Sequence, residues 1–221
     1  MAQLGGLKFE DAPPILKMLA ARSLTWFPEL ECGYFPATPG SHTYGQAYFD
    51  KYAEYAATEM GKRLNATRMA LVNRHWGGPL VDIGIGSGQF VTSRPGTCGY
   101  DINLTAMEWL DRHERWWNPY QHPCAAASMW DALEHIADFP ALLEQIHEYL
   151  FVSLPVFDGP DHVLRSKHYR KDEHYWYFTE AGFVRLMSGL GWKCVETNHD
   201  ETRLGRDGIA SFAFARRGST S

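Results

Sequence analysis

Long apolar runs are missing from this chain of 221 residues. Nowhere does it offer the roughly 18 to 20 continuous apolar positions that cross a bilayer, so no membrane association is expected. Met1 to Ala12 lacks the basic-then-apolar layout of a secretory leader, and a cytoplasmic protein is the expectation. Cysteine is scarce and scattered. Cys32, Cys98, Cys124 and Cys194 form no close pair, which argues against a zinc cluster or a disulfide framework and for reduced thiols. A long basic run is absent too, and the formal net charge is -5. That removes the broad electrostatic footprint a nucleic-acid backbone needs, so duplex DNA or RNA is disfavoured, with only a local patch at Arg165 to Lys171 left. Internal repeats and low-complexity tracts are likewise absent.

What is there suffices for one substantial core: 45% of the residues are hydrophobic, and two ordinary domains would be crowded in this length. The chain divides at a change of pattern. Residues 1–76 carry aromatics and helical periodicity without a β-alternating run, with Tyr48, Tyr52, Tyr55, Met60 and Leu64 on one amphipathic helix. Residues 33–45, rich in Pro, Gly, Ser and Thr, read as a loop, and 33–55 as a packing segment or a lid. From Pro79 to residue 217, short apolar strands alternate with helical segments, the signature of βαβ units and a mostly parallel sheet.

Within that second part, strands are expected at 80–83, 98–101, 126–130, 149–154, 192–197 and 209–215, the last two forming a terminal hairpin. Asn103 caps a helix carrying Leu104, Met107 and Leu110 on one face. Asp138 and Pro140 open another, whose spacing runs through Leu142, Leu143, Ile146 and Leu150, and Thr179 caps a third that stops at Gly191.

The run Leu80-Val81-Asp82-Ile83-Gly84-Ile85-Gly86-Ser87-Gly88 puts a hydrophobic strand directly before three alternate glycines and a short helix starting near Gln89. Glycines let the backbone turn sharply and let a ligand approach where a Cβ would collide. The helix N-terminus then faces the crevice at the carboxyl end of the sheet, where doubly wound folds bind nucleotides. Asp101, at the end of the next strand, is placed to accept hydrogen bonds from both ribose hydroxyls of an adenosine ligand. A nicotinamide or flavin dinucleotide is the competing occupant, but its fingerprint is G-x-G-x-x-G. The carboxylate of Asp82 beside the loop repels a pyrophosphate and suits the ammonium group of a methionine moiety, directly or through water.

These residues carry a resemblance. Asp82 to Gly88 resembles the first motif of the class I S-adenosylmethionine-dependent methyltransferases, and Tyr100-Asp101-Ile102 their second. Trp130-Asp131-Ala132-Leu133-Glu134-His135-Ile136-Ala137-Asp138 is similar to the D-x-L-E-H-I-x-D segment of the subfamily that includes ubiquinone-type O-methyltransferases. Glu173-His174-Tyr175-Trp176-Tyr177-Phe178-Thr179 is similar to a His-x-x-x-Phe-Thr/Ser stretch before that subfamily's last helix. The resemblance implies a Rossmann-like α/β fold with a mostly parallel sheet of six or seven strands, a C-terminal antiparallel hairpin and added N-terminal helices. It implies S-adenosylmethionine as cofactor, touched by Asp82, Gly84, Gly86, Gly88, Asp101 and Ile102, with Met129 and Trp130 at the end of the fourth strand. Two features depart from the pattern: the Leu-x-Pro-Gly-Gly turn before strand 5 is missing, and residues 118–123 leave little room for a third strand. Such shortening resembles a compact branch common in phages and environmental bacteria.

For catalysis, His135, His174 and Tyr175 are the candidates. His135 follows the fourth strand and can act as a general base or simply hold its loop. Substrate contacts are expected from Ser166 to Tyr175, whose aromatics suit a planar or sugar-like small molecule or nucleotide. Asp172, Glu173 and His174 offer metal-ligand atoms, but adjacent residues rarely all face one ion, and no metal is expected. Methyl transfer to an acceptor the sequence does not name leads; a noncatalytic binding or assembly protein on the same scaffold and an NAD-dependent enzyme are the rivals.

Overall fold

The computed structural model describes residues 24–36 and 44–218. A six-stranded mixed sheet forms the centre, in the order β4(Thr97–Tyr100), β3(Leu80–Ile83), β5(Cys124–Trp130), β6(Ile146–Pro155), β9(Ile209–Arg216), β8(Trp192–Asn198). The first four strands run parallel, and β9 pairs antiparallel with both β6 and β8, so the expected terminal hairpin closes one edge. Val81, Met129, Val152 and Phe212 sit on one buried face with Phe139, Phe183 and Trp192; Leu80, Phe90, Trp130 and Phe151 fill the other. Burial on both faces is why the central strands read as nearly continuous apolar runs.

Among the described residues the sheet has six strands. Where a further one would lie beside β4, the chain makes only one parallel bridge, Gly99 with Trp116, before Asn118 and Pro119 turn it away. The short connector leaves no length for a ladder.

Several expectations are corrected. Residues 24–34 are not helical: β1(Thr25–Phe27) and β2(Cys32–Tyr34) form an antiparallel hairpin, and β2 pairs with β7(Trp176–Phe178) in a second sheet. Three-residue strands are too short to show a period of two. The loop expected at 33–45 therefore starts later, and its residues 37–43, like residues 1–23, lie outside the described part. The tyrosine-bearing helix is two helices, α1(Gln46–Ala57) and α2(Glu59–His75). Thr58 breaks them by capping α2, its Oγ1 accepting from the Gly61 N–H at 3.0 Å. A Cβ on Gly61 would lie 2.2 Å from the Tyr55 carbonyl oxygen, so the close crossing of the two helices depends on that glycine.

Further along, α3(Gln89–Ser93) follows the glycine run and α4(Leu104–Arg112) is capped by Asn103 as expected. Leu104, however, is 71% exposed, while Ala106 and Leu110 are buried. The helix α5(Phe139–Leu143) is also shorter than its apolar spacing suggests. Ile146 already pairs with Cys124 on β5, and the sheet ladder captures the chain before another helical turn can form. After α6(Pro160–Arg165) and β7 comes α7(Glu180–Gly189), with Thr179 Oγ1 accepting from the Gly182 N–H at 2.9 Å. The short α8(Asp200–Arg203) leads to β9.

Candidate functional site

The glycine loop leaves the carboxyl end of β3 with Gly84, Gly86 and Gly88 all at positive φ (81°, 57° and 78°), a region side chains rarely adopt. At Gly88 a Cβ would also meet the Trp109 ring at 2.5 Å. At Gly86 it would face Tyr52 of α1 at 3.5 Å across the mouth of the loop.

Asp101, one residue past β4, faces this loop. Its Oδ1 accepts from the Asn103 N–H at 2.8 Å. Burial pushes its carboxyl above the ordinary carboxylate range, opposed by the backbone N–H groups of Asn103, Ile85, Ile102 and Gly86. Asp101 therefore sits at the junction of the second strand and the glycine loop, where the spacing put it. Beyond it, Ile102 and Leu104 expose 68% and 71% of their surface, large apolar side chains left uncovered at the rim of the crevice.

Asp82 is placed differently from Asp101. It lies within β3, 1% exposed, its Oδ1 accepting from the Ser128 hydroxyl at 2.6 Å. Burial pushes its carboxyl up to about 7, against the lowering influence of Ser128 and Arg68. Met129 and Trp130 are buried as well, Met129 in the core and Trp130 between Phe90 and the Arg68 guanidinium. Packing occupies both side chains, which leaves their main chain to line any crevice.

The N-terminal segment is tied to the residues that flank the glycine loop and Asp101. Asn103 Nδ2 donates to the Gly45 carbonyl at 3.2 Å, and Gln89 Nε2 donates to the Ala56 carbonyl at 2.9 Å, fixing both ends of α1. Tyr44, Tyr48 and Tyr52 form a contiguous aromatic row, with ring centroids 5.0 Å and 4.8 Å apart. Burial raises the Tyr44 phenol pKa, with the Glu173 and Asp101 carboxylates adding to it. Sequence reasoning registered Asn103 only as a helix cap; its second bond crosses 58 residues and leaves no local pattern.

His135 ends the 3-10 turn Leu133–His135 after β5, and His174 precedes β7. The structure brings them together, ring centroids 4.5 Å apart and nearly perpendicular. Burial lowers the pKa of His135, and burial with the neighbouring His135 pushes that of His174 down to about 2. His174 is thus neutral and only weakly basic. Tyr175, half-buried, stacks on Tyr34 at 6.3 Å and donates its N–H to the Glu134 carbonyl at 2.9 Å. Of the trio Asp172, Glu173 and His174, only His174 joins the inner cluster. Tyr169 to Glu173 instead line an adjoining cavity of about 400 Å³.

One feature had no sequence signal. Asp131, at φ 53°, and the buried Glu201 are clamped by two arginines: Arg68 reaches Glu201 at 2.7 Å and Asp131 at 2.9 Å, and Arg206 bonds both carboxylates. This network fixes the turn that carries Glu134 and His135, from partners up to 133 residues apart in sequence.

A mostly parallel α/β sheet with a glycine turn and a carboxylate at adjacent strand ends defines a nucleotide-binding protein of the doubly wound kind. Residues 49–197 match the family model described as a methyltransferase domain, and the chain belongs to that family. Among solved structures it is similar to the magnesium protoporphyrin IX methyltransferase of Synechocystis PCC 6803, solved with S-adenosylhomocysteine, at 13% identity over 77% of this chain and 95% of that one, TM-score 0.56. It is also similar to the 1,6-didemethyltoxoflavin-N1-methyltransferase of Burkholderia thailandensis (15% identity, 77% and 84% covered, TM-score 0.52). The [4+2]-cyclase SpnF matches too (10% identity, 69% and 80% covered, TM-score 0.52). At such identities the likenesses establish the fold. A search of curated proteins found no significant match. No helix among the described residues is long and apolar enough to cross a membrane.

Proposed function

We propose that this chain transfers the methyl group of S-adenosylmethionine to a small polar, sugar-like or nucleotide-like acceptor. The observation that carries the reading is the glycine loop held against Asp101, whose carboxylate accepts from the Ile85 and Gly86 N–H groups, with Tyr52 of α1 facing Gly86. The cofactor is S-adenosylmethionine; when bound, it supplies an electrophilic methyl on a sulfonium. Gly84, Gly86 and Gly88 give its methionine part room, Asp101 accepts from its ribose hydroxyls, and Ile102 covers its adenine. Asp82 balances its ammonium group from within β3, its carboxyl held by Ser128 of β5, while Met129 and Trp130 contribute main chain only. The sign of the two carboxylates disfavours a dinucleotide pyrophosphate in the same place.

The chemistry is in-line displacement. Bound S-adenosylmethionine would supply the methyl and keep the carbon–sulfur electron pair on its sulfur, and the acceptor would give up a proton as it takes the methyl. Holding the two reactants in line and excluding water supplies most of the acceleration. Within the N-terminal part, residues 1–76, the α1 helix acts as the lid that excludes water, over a domain spanning 77–217. His135 and His174 stand together on the acceptor side, and Tyr175 and the Ser166 to Tyr175 loop position the substrate. The ubiquinone-type branch of the family remains our reading of the Asp131 to Asp138 segment.

A second reading, a protein on this scaffold that does not methylate, is favoured by the low basicity that burial imposes on both histidines. Mass spectrometry of the ligand that copurifies, followed by calorimetry with S-adenosylhomocysteine, tests the first reading. Asp101→Ala is expected to weaken binding by about 1.5–3 kcal/mol, ten-fold or more. Equal binding by both proteins, or by neither, refutes the site. Binding without transfer of labelled methyl to any extract component would favour the second reading.

A further inference from the structure

Glu134 is 2% exposed, and among the described residues neither of its carboxylate oxygens has a hydrogen-bond partner in another residue. Buried carboxylates are normally paired, hydrogen-bonded or bound to a metal. The nearby cations are spent elsewhere: Arg68 and Arg206 bond Asp131 and Glu201, and among the described residues no ion pair reaches Glu134. Next to it, the Nδ1 of His135 is buried and likewise unpartnered. His174, 4% exposed, stands edge-to-face with His135. One ligand atom from each of Glu134, His135 and His174 lies within 4.8 Å of the other two.

Main-chain bonds hold this convergence. The Tyr175 N–H donates to the Glu134 carbonyl at 2.9 Å and the His174 N–H to the Arg170 carbonyl at 2.7 Å, so the loop before β7 is latched onto the turn after β5. Ligand atoms about 2.1 Å from a shared ion are at most about 4.2 Å apart, so small side-chain rotations close the set.

We propose that Glu134, His135 and His174 bind one divalent transition-metal ion, with coordination positions left for water or an oxygen of a substrate. Two imidazoles and one carboxylate suit Zn²⁺, Fe²⁺, Mn²⁺ or Co²⁺; Mg²⁺ and Ca²⁺ favour sets made of oxygen. Such an ion gives the orphaned Glu134 carboxylate and the His135 Nδ1 a partner at once. The sequence pointed away from this set, because it offered His174 with its neighbours Asp172 and Glu173, and those two lie outside the cluster. Metal binding here is independent of the reaction. Only its use, lowering the pKa of a coordinated acceptor hydroxyl, rests on the methyl-transfer reading.

The protein, stripped with EDTA and titrated with Co²⁺, is expected to bind one equivalent with visible d–d absorption and to show shifted imidazole proton resonances. Glu134→Gln and His174→Asn are each expected to weaken Co²⁺ binding at least ten-fold while circular dichroism shows a folded chain. Failure of the parent protein to bind Co²⁺, binding without shifted imidazole signals, or undiminished binding by folded Glu134→Gln would overturn the site. Calorimetry with S-adenosylhomocysteine on the same samples reports the cofactor crevice separately, so Co²⁺ binding without cofactor binding sinks the methyl-transfer reading and leaves the metal site standing.

Discussion

Ser128 donates its hydroxyl to Asp82 Oδ1 at 2.6 Å, the two residues facing each other in register on neighbouring parallel strands. The bond stabilises a carboxylate inside the sheet, yet desolvation wins: the Asp82 carboxyl is pushed up to about 7. A buried acid with a raised pKa, next to a crevice assigned to a cationic ligand, makes both stability and binding depend on pH.

For stability, the folded chain holds the Asp82 proton more tightly than the unfolded chain. The contribution is fully present below the ordinary carboxylate pKa near 4 and is lost as pH rises through about 7. Asp82→Asn is expected to remove that slope, so its unfolding free energy should gain on the parent by up to about 1.4 kcal/mol per pH unit across this window. Urea melts at several pH values check this. For binding, S-adenosylhomocysteine affinity should rise from pH 5 to 7 with proton release, and the rise should flatten in Asp82→Asn.

Gly88 and Gly86 separate folding from binding. Gly88→Ala forces a methyl against the Trp109 ring in a left-handed conformation and should cost about 2 kcal/mol or more of stability. Gly86→Ala has space beside Tyr52, so only the conformational cost of about 1 kcal/mol applies, while the methyl enters the crevice. Thermal melts should rank Gly88→Ala as the less stable, with Gly86→Ala losing cofactor affinity at least ten-fold by calorimetry.

Arg68 should be far more important to stability than its place on a helix suggests. Arg68→Ala leaves Glu201, whose side chain is wholly buried, with Arg206 alone, and is expected to cost about 3 kcal/mol. The exposed pair Lys62–Glu59 is the control: Lys62→Ala should change stability by less than about 0.5 kcal/mol. Denaturant midpoints decide between them, and equal losses would contradict the burial argument.

Local signals account for what was readable. Leu80 to Ile83, the helix start at Gln89, the Asn103 and Thr179 caps and the terminal hairpin each depend on neighbouring residues, and each is found where those residues put it. Strand pairing over three residues, as in β1 and β2, carries too few side chains to set a period. The apolar spacing from Leu142 to Leu150 read as helical, and hydrogen bonding to β5 overrode it.

By itself, then, the sequence determined the glycine turn, the carboxylate at the end of the second strand and the order of strand and helix, because backbone sterics and periodicity act over a few residues. Only the tertiary structure decided that Asp82 is buried against Ser128, that Tyr52 of α1 faces Gly86, and that His174 meets Glu134 and His135. Those contacts join positions tens of residues apart, and their energies depend on desolvation, which exists only once the sheet has closed around them.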